Sequence, residues 1–546
     1  MLDSVSTQLL LEGHSNRDAK QIISQHAQAV GSLANCVRST LGPFGLNKLM
    51  VDETGETAIS NDGNTILQHL QVDNPIVSLI IDLSSQQEKE VGDGTTSMVL
   101  IASELLNAVE KLHNQNIHSS EIISGLKVSC RYALKHLANM HAFQITNDDH
   151  SQIMNVAKTS ISSKILSQNS DFFASMAIKA CLAVENRKSK LFQIENIATL
   201  KAIGRSVDET QLIDGFAFNC SKAAQEMADR VTDAKIACLD FNLSRSKAKF
   251  GVQVVVSDSE SLEQIRKKEL EMSLKNTQKI IDAGTNVIFT TGSIDEDNLR
   301  LLIKNNIFAV KFVDRKDLKK ISIACGATLL KSLSYTLNAS HNHFDSSLLG
   351  SASAVSQMNL QDNKFIVVEQ PSAHSTASLL IRGPSEAIIE EAMRSFHDCL
   401  SSIKRTLESK QLVCGGGSSE TAMSAALLDL ASKTQGKEQL VIREFAKALQ
   451  IIPKQLAVNS GADSAELVGN LLSSHFKGIS EGSQCFLGLD LEQKKLIDCR
   501  EKGILDPLVS KVKILRKATE AVIVITKIDN VVKNNREKPE EDECGY

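Results

Sequence analysis

Apolar positions recur at helical spacing between Asn16 and Arg38, through Ala19, Ile22, Ile23, Ala27, Val30, Leu33, Ala34 and Val37, which predicts an amphipathic helix. His26 falls on the same face and reads as a core histidine with its hydrogen bonds met, rather than as a ligand. The helix is expected to stop at Leu41-Gly42-Pro43-Phe44-Gly45, where glycine and proline forbid continuation. A dense apolar run from Met98 to Leu106, continued by Val109 and Leu112, predicts a buried helix. Helices are expected to dominate from Glu104 to Leu137 and again from Ile153 to Ala183.

After Asp214-Gly215 the period shortens. Ala237-Cys238-Leu239, Val252 to Val256, Val287-Ile288-Phe289 and Phe308-Ala309-Val310 read as strands, and Leu262 to Ala283 as a helix between them. That alternation predicts an α/β domain in the middle of the chain. The segment Asp258 to Lys279 is strongly charged around Leu262, Ile265, Leu270, Met272 and Leu274, which fits a solvated helix or a protruding element with an apolar edge. Asn338 to Asp362 reads as a loop. Gly383-Pro384 then opens a helix that Ser385 can cap, with the stripe Ile388, Ile389, Ala392, Met393, Phe396, Leu400, Ile403 and Leu407. Asp398 lies off that stripe, so the pattern alone predicts an exposed carboxylate. Near the end, Gly488-Leu489-Asp490 reads as a turn and Ala521 to Ile525 as a β-rich run.

The totals narrow the function classes. A chain of 546 residues exceeds one ordinary domain and suggests about three. Aromatics at 4% and no Trp argue against stacking platforms for single-stranded nucleic acid, and a net charge of -5 without a basic block argues against nucleic acid as main partner. No apolar run approaches the roughly 18 residues of a membrane span, and Met1 to Gly13 lacks a basic start, so a soluble cytoplasmic protein away from membranes is expected. The eleven cysteines are scattered and form no C-x-x-C, which suits reduced thiols packed as small hydrophobes. His341 and His343 lack further ligands nearby, so no metal is expected there.

The chemistry-bearing stretch is Val91-Gly92-Asp93-Gly94-Thr95-Thr96-Ser97, directly before the buried helix. Glycines let backbone approach an anion, helix N-terminal amides attract phosphate, and a lone Asp beside phosphates suits magnesium. A capped Asp-Gly turn explains the same residues. The stretch is neither a G-x-x-x-x-G-K-[ST] loop nor a dinucleotide fingerprint. Asn61-Asp62-Gly63 repeats the theme, and Gly415-Gly416-Gly417 after Cys414 is either a flexible joint or a surface where a flat ligand touches backbone.

Together, Leu41 to Gly45, Asn61 to Gly63, Gly92 to Ser97, Lys158-Thr159-Ser160, Gly415 to Gly417 and Gly488 to Asp490 resemble the group II chaperonins, in family order and at family spacing, from about Asn16 to Val532. The resemblance implies a multidomain α plus α/β fold: a mainly helical equatorial ATP-binding domain (1–147 and 405–546), a small intermediate domain (148–214 and 371–404) and an α/β apical domain (215–370) with a helical lid protrusion near 244–275. It implies that Gly42, Pro43, Gly92, Gly94, Thr95, Thr96 and Ser97 hold phosphates of ATP and that Asp93 binds Mg2+. It further implies that Asp62 places the attacking water, Asp398 acts as its base, Lys158 senses the terminal phosphate, and Gly415, Gly416 and Asp490 contact ribose or base. As partners it implies seven paralogous subunits in a hetero-oligomeric double ring and unfolded clients such as actin and tubulin. Cys414 stands where the family commonly has proline, and Ser418-Ser419 replaces a small apolar pair, changes expected to loosen the sugar pocket. A non-catalytic scaffold would have lost its carboxylates, whereas Asp62, Asp93 and Asp398 remain; an archaeal-type homo-oligomer is the other alternative.

Overall fold

The computed structural model describes residues 19–52, 55, 57–145, 149–184, 192–244, 259–331, 346–360, 363–373 and 376–528. The chain divides into two compact units, one formed by Met1–Ser167 with Arg405–Tyr546 and the other by Gln168–Lys404.

In the first unit the helix Thr95–Asn114 is the centre. Met98 to Ala102, Leu105, Leu106 and Val109 are all buried, so this helix is apolar nearly all round, as the sequence predicts. Ala19–Arg38, Pro75–Val91, Glu438–Leu449 and Leu508–Thr526 pack against it, which means that both chain ends close one core. A three-stranded sheet also joins distant segments, with Gln411–Cys414 between Leu505–Pro507 and Phe143–Gln144. Gly488-Leu489-Asp490 lies in the strand Leu487–Asp490, hairpin partner of Lys495–Asp498, and the turn comes after it.

The Ala521 to Ile525 run is helical, not β, as the last part of Leu508–Thr526. Its β-branched residues favour strand locally, but Ile514, Leu515, Ala518, Ala521, Val522 and Ile525 are all buried at helical spacing, and packing overrides the propensity. His26 is 6% exposed, as expected, yet its Nδ1 has no hydrogen-bond partner, and burial holds the imidazole below its ordinary pKa.

The second unit carries a nine-stranded mixed sheet. Its order is Ala198–Ile203, Ala377–Gly383, Gln211–Asn219, Asn363–Pro371, Gly350–Leu360, Arg230–Leu239, Val287–Thr290 and Phe308–Val310, with Leu329–Leu330 also on Arg230–Leu239. Parallel pairing with intervening helices appears from Arg230–Leu239 through Phe308–Val310, the α/β pattern expected. Phe218 meets Phe289 edge to face at 5.6 Å in its core. The region read as a loop contains the eleven-residue strand Gly350–Leu360, held on both sides at Val355 by Val368 and Val231. Its small and polar residues hid a central strand whose pairing comes from distant segments. The helix read at Leu262 to Ala283 is Ser259–Asp282. Residues 245–258 of the expected protrusion, with Val252 to Val256 among them, lie outside the described residues. So do Asn338 to Asp345, including His341 and His343, and Cys544. Among the described residues ten cysteines form no disulfide, seven of them buried, and no helix is long and apolar enough to cross a membrane.

Candidate nucleotide site

Asp62 is the N-cap of the short helix Gly63–Gln68. Its Oδ2 accepts from the Thr65 amide and the Thr65 hydroxyl, both at 2.8 Å, which fixes the carboxylate by local hydrogen bonding alone. Its other oxygen, Oδ1, accepts from Thr95 Oγ1 at 3.5 Å. Gly63 lies so close to the second motif that a Cβ there would stand 2.4 Å from Thr96 Oγ1 and 3.0 Å from Thr96 N. The two Asp-Gly motifs are thus one cluster.

Gly92 ends the preceding helix with φ 81° and Gly94 begins Thr95–Asn114 with φ 83°, left-handed values that glycine tolerates best. Gly94 provides no side-chain cap, so the amides of Thr95, Thr96 and Ser97 start a 20-residue helix with the partial positive charge of its N-terminus. Asp93 is exposed between the two glycines, and its Oδ1 accepts from Gly94 N at 2.6 Å.

The other glycine loops converge on the helix Ile451–Asn459. A Cβ on Gly42 would meet Leu456 Cδ2 at 2.4 Å, and one on Gly417 would meet Pro453 Cβ at 2.8 Å, one helical turn away. Asn459 Nδ2 donates to the carbonyls of Leu41 and Arg38, tying down the loop that carries Gly42 and the exposed Pro43. Gly417 starts the helix Ser418–Lys433, again without a side-chain cap. Gly416 O accepts from Leu489 N at 3.0 Å, and Cys499 Sγ donates to Gly415 O at 3.6 Å, so the glycine loop lies flat against the strand carrying Asp490.

Asp490 is 4% exposed. Oδ1 accepts from the amides of Glu492 at 3.0 Å and Gln493 at 3.3 Å, and Oδ2 from Lys502 Nζ at 2.8 Å. Burial by itself would raise this carboxyl's pKa, but Lys502 and the two amides together bring it below the ordinary value.

Lys158 sits half-buried on the helix His150–Ile161, whose Thr159 hydroxyl accepts from Leu505 N at 3.4 Å. Just beyond that helix, Ser163 O accepts from Asn61 Nδ2 at 2.6 Å. Since Gly415 N donates to Ile504 O at 2.9 Å, the segment carrying Lys158 touches both the Asp62 cluster and the strand beside the Gly415 loop.

Sequence reasoning missed the charges beneath this loop. Glu420 is buried, and Lys511 Nζ reaches its Oε1 at 2.9 Å and Asp506 Oδ2 at 3.0 Å. Burial would raise the Glu420 pKa, yet Lys511 lowers it below normal, while Asp506 and Glu420 together overcome burial to raise that of Lys511. Ser419 Oγ donates to Glu420 Oε2 at 2.9 Å, so this departure from the family pattern is tied into the ion-pair network. Cys414 is buried, and burial pushes its thiol up to about 12. Single charges at ordinary spacing gave no signal in the sequence.

Asp398 belongs to the other unit, on the helix Glu386–Ser409. The exposed carboxylate expected from the stripe is corrected: Asp398 is 5% exposed, with Oδ1 3.8 Å from His397 Nδ1. The stripe marks one buried face, and this helix is buried on more than one, Ser395, Ser402 and Thr406 included.

The TCP-1/cpn60 chaperonin family matches residues 33–536. A T-complex protein 1 subunit alpha from Schistosoma mansoni is 41% identical over 547 residues, 98% of this chain and 100% of that protein. Its Arabidopsis thaliana counterpart is 39% identical, covering 95% and 96%. A thermosome subunit from Methanocaldococcus jannaschii is 32% identical, covering 96% and 95%. The identities to the two alpha subunits exceed that to the thermosome subunit, in keeping with a resemblance to alpha-type subunits that Ala234 to Phe241, Lys249 to Val255, His397 to Lys410 and Ala518 to Ile528 carry. With the family matched over nearly all its length, the chain belongs to the TCP-1/cpn60 chaperonin family, as a group II chaperonin subunit.

Proposed function

We propose that this subunit binds ATP with magnesium in the first unit and hydrolyses it to drive enclosure and folding of unfolded proteins. The carrying observation is the joining of the two Asp-Gly motifs, through Thr95 Oγ1 to Asp62 and the close approach of Gly63 to Thr96, at an uncapped helix N-terminus. Phosphoryl transfer asks mainly for positioning, a metal and a water-orienting group. The amides and hydroxyls of Thr95, Thr96 and Ser97, with Gly42, Pro43, Gly92 and Gly94, would hold phosphate oxygens. Asp93 fits magnesium as a hard, exposed carboxylate oxygen donor beside that anion site. Among the described residues no group of three or more His, Cys, Asp or Glu is arranged to hold a metal, and magnesium shared with phosphates needs only one or two carboxylates. When bound, the ion would neutralise phosphate charge. Asp62, fixed by Thr65, orients the attacking water, and Asp398 takes its proton as the resemblance implies. Lys158 would sense the terminal phosphate, and Gly415, Gly416 and Asp490 would contact the ribose or base. In the same reading the three-part division into equatorial, intermediate and apical domains applies, and Ser259–Asp282 contributes to the lid. The chain works in the cytoplasm, in a double ring with seven paralogous subunits, on clients such as actin and tubulin.

Asp93→Ala and Asp398→Ala separate the roles. In the assembled complex, photolabelling of this chain by a photoreactive ATP analogue reads binding, and single-site turnover reads chemistry. Asp93→Ala should weaken both. Asp398→Ala should leave labelling near normal and reduce turnover by about 10²–10⁴-fold. Wild-type turnover in Asp398→Ala would remove Asp398 from the chemistry.

A further inference from the structure

The Asp490–Lys502 pair goes one step beyond the ATP reading and rests on it. An ionised carboxylate offers about four lone-pair sites. At Asp490 three are taken, two amides on Oδ1 and Lys502 Nζ on Oδ2. The Asp490 side chain is 4% exposed while that of Lys502 is 36% exposed, so the cation is the accessible member. An ammonium has three N–H donors and spends one on Asp490. The pair therefore keeps acceptor capacity on a buried carboxylate beside donor capacity on an accessible cation. It does so next to Leu489, whose backbone abuts the Gly416 loop at 3.0 Å.

A hydroxyl both donates and accepts, and a vicinal diol presents two such groups side by side. We infer that Asp490 and Lys502 together form a diol clamp, in which Asp490 accepts from the ribose 3′-hydroxyl and Lys502 donates to the neighbouring 2′-hydroxyl. Lys502 is then a specificity-determining residue of the nucleotide pocket, selecting ribonucleotides over their deoxy analogues. Sites built to hydrogen-bond a hydroxyl discriminate against ligands that lack it, because the polar groups are left unpaired.

The test uses the whole complex carrying wild-type, Lys502→Met or Lys502→Arg chain. This chain is photolabelled with a photoreactive ATP analogue, and labelling is competed with ATP or 2′-deoxyATP. Wild type should favour ATP by on the order of tenfold. Lys502→Met should cut that preference to roughly twofold by weakening ATP competition and sparing 2′-deoxyATP, while Lys502→Arg keeps most of it. If Lys502→Met does not assemble, Lys502→Gln is read by the same ratio. A Lys that only pins the hairpin would weaken both nucleotides equally, and an unchanged ratio overturns the clamp. No labelling of the wild-type chain would instead overturn the ATP reading itself.

Discussion

Replacing Gly63 by alanine isolates the contact on which the site depends. The added Cβ would lie 2.4 Å from Thr96 Oγ1, 2.9 Å from Thr95 Oγ1 and 3.0 Å from Thr96 N. Rotating the two hydroxyls could relieve the shorter pair, but the backbone nitrogen cannot rotate away. One helix end must therefore retreat by about a few tenths of an ångström, an overpacking cost of about 1–3 kcal/mol. The Thr95 to Asp62 hydrogen bond, already at 3.5 Å, does not survive such a shift. A misplacement of about 1 Å can cost a reaction about a hundredfold, so a shift of a few tenths should cost about twofold to tenfold. The control is Gly31→Ala, in the helix Ala19–Arg38 with nothing within 4 Å of the new methyl, which should be neutral or stabilising by up to about 1 kcal/mol. Photolabelling, single-site turnover and thermal dissociation of the complex read both variants. If Gly63→Ala matches wild type in labelling and turnover, the joining of the two motifs does not underlie the chemistry.

Acid and charge deletions probe the supporting core. His136, His141 and His475 surround a cavity of about 70 Å³, with His141 centroids 5.3 Å from His136 and 6.0 Å from His475. Burial first, then its histidine neighbours, lowers His141 to about 3 from 6.5. The folded state binds this proton less readily than the unfolded chain, so the contribution is complete above pH 6.5 and is lost as pH falls toward about 3. His141→Leu should move acid unfolding to lower pH, followed by circular dichroism because the chain has no Trp; an unmoved transition refutes it. Lys511→Met strands the buried Glu420 carboxylate and should destabilise by about 3–5 kcal/mol, while adding Glu420→Gln should restore most of the loss in chemical denaturation.

The sequence alone determined the elements whose signal is local. Ala19–Arg38, Thr95–Asn114 and Glu386–Ser409 were legible because a buried stripe writes its own period, and Gly42, Gly92 and Gly94 because chain stops need left-handed or proline geometry. The order of the Gly-Asp motifs carried the family resemblance without any contact being known. Tertiary structure decided what those motifs touch. Thr95 reaches Asp62 across 33 residues, and Gly42 and Gly417 meet one helix from opposite ends of the chain. It also turned Ala521 to Ile525 into helix, made Gly350–Leu360 a central strand, and buried Asp398 and the Glu420–Lys511 pair. Local pattern reports which face of an element avoids water. Which distant element covers that face depends on closing the whole core against chain entropy, a sum over contacts that no short window contains.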